Sequence, residues 1–190
     1  MTIRKPIIGV LALQGAVQPH KAHIEAAGAE FRAVKTLSQC EGVDGFILPG
    51  GESTTMLKLI ERFDLWDGLA AQFAQKPVWG ICAGCILLAE RVTNPEQKSF
   101  GLLPVTVQRN GYGRQIDSHY ANIDGYSVSF IRAPIICDVS QDVQVLAEHN
   151  GSAVWVKKGT AIATTFHPEL TNDRPSPMHS MFVEIADISR

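Results

Sequence analysis

The sequence predicts an α/β fold, three layers with a mostly parallel sheet between helices, and two observations predict it. Short continuous apolar runs, Ile7 to Leu13, Val43 to Leu48 and Pro77 to Ile81, read as strands buried on both faces. Segments of helical spacing separate them, and alternation of strand and helix is the pattern of a parallel sheet. At 190 residues, 45% hydrophobic and 19% charged, the chain suits one compact domain over residues 1–190.

Taken in order, Ile7 to Leu13 is too short to span a membrane and lacks a small-residue cleavage site, so it reads as the first strand of a cytoplasmic protein. A helix follows, with His20, His23, Ile24 and Ala27 at helical spacing and Gly28 as its stop, before a second strand from Glu30 to Val34. His20 and His23 have no third ligand nearby in sequence, so they read as surface or packing histidines, and no metal site is expected. After the strand ending at Leu48 comes Pro49-Gly50-Gly51-Glu52-Ser53-Thr54-Thr55, then the amphipathic run Met56 to Ile60. Glycines and hydroxyl residues at a helix start leave bare N–H groups, which suit an anionic group or an oxyanion, or make an ordinary capped turn. The loop lacks the lysine and the glycine spacing of a P-loop. Leu65 to Gln75 supplies another helix, then the strand ending at Ile81 leads through Cys82 to a helix beginning at Cys85 to Glu90.

Beyond Arg91 long helices give way to strands, read at Leu102 to Gln108, Ser127 to Arg132, Val143 to His149 and Ala153 to Lys158. Asn94 to Ser99 is a polar connection, and Asn110-Gly111 and Asn150-Gly151 are hairpin signals, so antiparallel edge strands are expected. A last strand, Ala161 to Phe166, delivers His167-Pro168-Glu169, and a helix from about Met178 to Ile188 closes the chain.

The formal net charge is −2 and there is no run of Lys or Arg, which argues against a nucleic-acid or membrane-surface partner. The four cysteines, Cys40, Cys82, Cys85 and Cys137, come without a secretory signal, and a disulfide framework is not indicated.

The chemistry concentrates at Gly80-Ile81-Cys82-Ala83-Gly84, a strand-to-helix junction with the spacing of a nucleophile elbow. The flanking glycines would let the backbone turn sharply, and a thiol at a helix N-terminus is favoured as thiolate. A thiolate nucleophile needs an imidazole, and the imidazole needs an acid to orient it. His167 and Glu169, projecting to one side of an extended segment across Pro168, supply both. Backbone N–H groups of Gly51 and Ala83 are the natural oxyanion donors. Cys82 and Cys85 also form a C-x-x-C pair, which keeps a redox or sensing module open beside acyl transfer.

These residues resemble the class I, or triad, glutamine amidotransferases, whose fold is a flavodoxin-like sheet. Leu13-Gln14-Gly15-Ala16-Val17, Leu48 to Thr55, Arg109-Asn110-Gly111-Tyr112-Gly113-Arg114-Gln115, Phe130 to Pro134 and Glu148 to Gly151 narrow the likeness to the glutaminase subunits of pyridoxal 5′-phosphate synthases. That resemblance implies Cys82 as nucleophile on the carboxamide of L-glutamine, His167 as proton carrier and Glu169 as its orienting acid. It implies glutamine contacts at Gly51, Glu52, Ser53, Arg109, Ile131 and Arg132, and places Gln14 near the oxyanion and the partner surface. It further implies a separate synthase subunit as partner in a heteromeric complex, low activity without it, and no cofactor. Cys85 departs from the pattern, in which a larger apolar residue follows Cys-Ala-Gly.

Overall fold

The computed structural model describes residues 4–110 and 118–190. The motif residues Gly111 to Gln115 therefore lie outside the described residues. The first half alternates as read: β1 (Ile7–Leu11), α1 (Gln18–Ala26), β2 (Glu30–Val34), β3 (Gly45–Leu48), α2 (Ser53–Arg62), α3 (Trp66–Phe73) and β4 (Val78–Ile81). The helix after Cys82 is short, α4 (Ala83–Leu88), and runs straight into β5 (Ala89–Thr93), where a longer helix was expected. The second half is strand-rich: β6 (Leu103–Gln108), β7 (His119–Ile123), β8 (Tyr126–Phe130), β9 (Ile135–Val139), β10 (Gln144–His149), β11 (Ser152–Lys158) and β12 (Ala161–Thr164), followed by α5 (Pro177–Ile188).

A 10-stranded sheet runs β2-β1-β3-β4-β12-β11-β9-β6-β5, with β10 paired to β11 off that path. The five strands from β2 to β12 are mutually parallel. Antiparallel pairing begins at β12–β11 and continues through β9 to β6. The far edge departs from the expected antiparallel strands, because β5 and β6 pair parallel. Asn150 and Gly151 both have positive φ, 51° and 77°, as the tight β10–β11 hairpin requires.

Strand side chains alternate between two cores. Leu11, Phe46, Leu48, Val78 and Ala163 face α2, α3 and α4, together with Met56, Ile60, Leu69 and Leu87. Ile8, Val10, Ile47, Trp79, Ile81 and Ile162 face α1 and α5, together with Ile24, Phe182 and Ala186. Both faces of the parallel strands are covered, which is why those strands read as unbroken apolar runs. No helix among the described residues is long and apolar enough to cross a membrane.

The strands read over Ser127 to Arg132 and through Phe166 end earlier than expected. β8 stops at Phe130, so Ile131 and Arg132 form a turn, with Arg132 at φ 45°. β12 stops at Thr164, so Thr165 and Phe166 lead irregularly into His167. In parallel sheets ligands gather beyond the carboxyl ends of the strands. Gln14, Gly50-Gly51, Cys82 and His167 all follow such ends, on β1, β3, β4 and β12.

Candidate active site

Cys82 sits between β4 and α4 at φ 50°, ψ −100°, outside the usual regions for a residue with a side chain. Its N–H donates to the Thr164 carbonyl at 2.8 Å, tying the elbow to β12. The glycines around it do a different job from the one expected, since neither Gly80 nor Gly84 has positive φ. A Cβ on Gly80 would lie 2.4 Å from the Gly84 carbonyl oxygen, and one on Gly84 would lie 2.0 Å from that of Leu48. They permit close approach of strand and helix, while the sharp turn is made by the cysteine itself.

His167 is buried, and its backbone is held by a bridge to Ser129 of β8, with its N–H donating to the Ser129 carbonyl at 2.8 Å. Its Nδ1 meets Glu169 Oε1 at 2.7 Å. The segment is not extended as expected: Pro168–Leu170 is a 3₁₀ turn, and that turn brings the carboxylate back onto the ring. Burial disfavours charge on His167, but hydrogen bonds to Cys82 and Glu169 outweigh it and push the imidazole up to about 10. Burial pulls Glu169 the other way, yet its bond to His167 leaves it below the ordinary carboxylate range. With Nδ1–H given to Glu169, Nε2 is the ring nitrogen left for proton exchange. Gly50 lies under the ring so closely that a Cβ there would fall 2.2 Å from Cε1.

Around Cys82 opens a cavity of about 150 Å³, lined by Gly51, Glu52, Ser53, Ala83, Arg109, Ile131, Arg132 and His167, with Ile86, Asn110 and Pro134. Such a volume is below the roughly 300–1,000 Å³ of clefts for drug-sized ligands and suits something no larger than an amino acid. At its mouth Arg132 pairs with Glu52 at 3.4 Å, both side chains more than half exposed. Arg109 donates to Thr54 Oγ1 at 2.7 Å. Ala83 opens α4, so its N–H has no acceptor within the helix, and the residue lines the cavity together with Gly51. Gln14 does not line the cavity. It stands behind the glycine loop, its Oε1 accepting from the Glu52 N–H at 2.9 Å, and thereby fixes where Gly51 and Glu52 lie.

Of the residues singled out by sequence, Cys82, His167, Gly51, Glu52, Ser53, Arg109, Ile131, Arg132 and Ala83 share the cavity, with Glu169 and Gln14 one layer behind. Sequence reasoning missed Gln97, in the polar connection, whose Oε1 accepts from Ser53 Oγ at 3.0 Å and Thr54 Oγ1 at 3.3 Å. No local signal marks it. Cys85 is fully buried in the core of the opposite sheet face from Cys82, and burial pushes its thiol far up. Both are free cysteines. The C-x-x-C pair therefore lacks the second accessible thiol that a redox module needs.

A cysteine on a strained elbow, an imidazole held by a carboxylate and a small polar cavity, at the carboxyl edge of this sheet, define the class of triad glutamine amidotransferases. Residues 10–187 match the SNO glutamine amidotransferase family, and the chain belongs to that family. It is 46% identical over 188 residues to the pyridoxal 5′-phosphate synthase subunit PdxT of Solibacter usitatus, covering 93% of this chain and 97% of that one. It is 49% identical over 174 residues to the PdxT of Geobacillus thermodenitrificans, covering 87% of this chain and 89% of that one. A crystal structure of a glutamine amidotransferase superposes with a TM-score of 0.85 at 37% identity, covering 94% of this chain and 98% of that chain.

Proposed function

We propose that this chain is the glutaminase subunit of a pyridoxal 5′-phosphate synthase, a single domain that hydrolyses L-glutamine and passes the ammonia to a separate synthase subunit in the cytoplasm. The observation that carries the chemistry is the 2.7 Å contact between His167 Nδ1 and Glu169 Oε1, made by a ring that lines the same cavity as Cys82.

Cys82 Sγ attacks the carboxamide carbon of glutamine, and the C=O electron pair moves onto oxygen. Backbone N–H groups of Gly51 and Ala83 take that oxyanion. Collapse of the intermediate breaks the C–N bond, and His167 gives its Nε2 proton to the departing nitrogen, releasing ammonia and leaving a γ-glutamyl thioester. His167 then takes a proton from water as the oxygen attacks. The C–S bond breaks, glutamate leaves, and Cys82 regains its starting state. Glu169 keeps the ring in the required tautomer throughout.

The α-carboxylate of glutamine calls for Arg109 and Arg132, and its ammonium for Glu52 with Ser53 and nearby carbonyls such as Ile131. The Glu52–Arg132 pair is exposed, and such pairs contribute only about 0–1 kcal/mol, so a zwitterion can part them at little cost. The test is glutamine hydrolysis by the purified chain with its synthase subunit present, beside Cys82→Ala. Glutamate should form with the unaltered protein and vanish with Cys82→Ala. Glutamine left intact while other amides are cleaved would overturn the reading.

A further inference from the structure

Behind the carboxylate lies a buried polar cluster that the chemistry above does not use. His20 and His23 of α1 and His179 of α5 are all buried, with Ser176 at the start of α5. Among the described residues no group of three or more His, Cys, Asp or Glu is arranged to hold a metal ion. Instead the imidazoles are joined to one another and to the backbone. The Ser176 N–H donates to His23 Nδ1 at 3.1 Å, so His23 carries its proton on Nε2 and donates to the Thr171 carbonyl at 3.3 Å.

The other two rings are ordered by the same hydroxyl and by each other. Ser176 Oγ accepts from the His179 N–H at 3.1 Å and lies 2.6 Å from His179 Nδ1. His179 Nε2 lies 2.9 Å from His20 Nδ1. When the Ser176 hydroxyl donates to His179 Nδ1, His179 Nε2–H donates to His20 Nδ1, and the His20 proton must sit on Nε2. The reverse order leaves the hydroxyl proton without an acceptor among the described residues. It also turns a lone pair of His20 toward the next group in line.

Glu169 is the carboxylate whose charge reaches His20. His20 Nε2 and Glu169 Oε2 are both sealed from solvent, and neither has a hydrogen-bond partner among the described residues. α1 packs on the 3₁₀ turn that carries Glu169, and His23, one turn along the same helix, grips Thr171 just beyond that turn. Burial pulls His20 down to about 4, partly opposed by the Glu169 charge, so the ring is neutral at pH 7, with one nitrogen donating and the other accepting. A buried carboxylate oxygen with no donor is costly, which gives such an arrangement its purpose.

We propose that His20 is a positioning residue: the one-way chain Ser176–His179–His20 puts its unpartnered proton on Nε2, the donor available to the equally unpartnered Glu169 Oε2, and so steadies the carboxylate that orients His167. The proposal rests on the glutaminase reading, and two measurements separate them. In the complex with the synthase subunit, His20→Leu should lower kcat on the order of 10- to 100-fold with KM little changed, whereas His20→Gln, which keeps an N–H donor, should recover most of the loss. Nitrogen-15 spectra of the unaltered chain should show both His20 and His179 protonated on Nε2, a result that does not depend on any variant folding. A fully active His20→Leu variant, equal losses in the Leu and Gln variants, or Nδ1-protonated rings would overturn the proposal. Absence of glutaminase activity in the unaltered complex would instead overturn the functional reading.

Discussion

Cys82 holds a backbone conformation that costs on the order of 1–3 kcal/mol in a residue with a side chain, and strain of that kind persists only where the surroundings impose it. Here they are the Thr164 carbonyl on one side and the closely packed Gly80 and Gly84 on the other. Gly50 plays a comparable part for His167, because its missing side chain is the space the ring occupies. Gly50→Ala should therefore push the His167 ring off Glu169 rather than move backbone. Its expected signature is a fall in kcat on the order of 100-fold, with a lowered thermal unfolding midpoint because the displaced ring loses its buried bond to Glu169. Steady-state kinetics and a melting curve check both halves.

At the scale of elements, the parallel half was legible because its strands are covered on both faces and its helices are amphipathic. The second half was less so. β5, β7 and β9 were missed: β5 follows a helix of only six residues with no breaker between, and β7 and β9 each bury a single side chain, Ile123 and Ile136, too little for an apolar strand pattern. Cys82, His167 and Glu169 stood out because a nucleophile elbow and a His-Pro-Glu triplet are local patterns. Gln97 and the His20–His179 pair did not, because each acts across 43 or more residues of sequence and only the packing of α1, α5 and the loop after β5 brings them together. The direction of Glu169 was legible, but its cause was not, since a 3₁₀ turn replaces the extended segment.

Across the whole molecule, the buried titratable groups set how stability varies with pH. His20, His23 and His179 are pulled down by burial, so below about pH 6.5 the unfolded chain binds protons that the native state refuses. Their stabilisation is present above that pH and is lost as pH falls, with His20 alone accounting for about 3 kcal/mol by pH 4. Glu169, held low, adds a loss at still lower pH. His167 acts in the opposite sense: raised to about 10, its contribution is full below about pH 6.5 and declines as pH climbs toward 10. Denaturant unfolding from pH 4 to 9 should show greatest stability near neutrality with the steeper fall on the acid side. Stability that is flat, or that rises, between pH 6.5 and 4 would contradict this.

The most direct test of the account is to treat the complex with a glutamine-mimicking electrophile and locate the adduct by mass spectrometry. One adduct is expected, on Cys82, slowed by excess L-glutamine, with Cys40, Cys85 and Cys137 unmodified. Hydrolysis that continues while Cys82 stays unlabelled, or a glutamine-protected adduct on another cysteine, would contradict it.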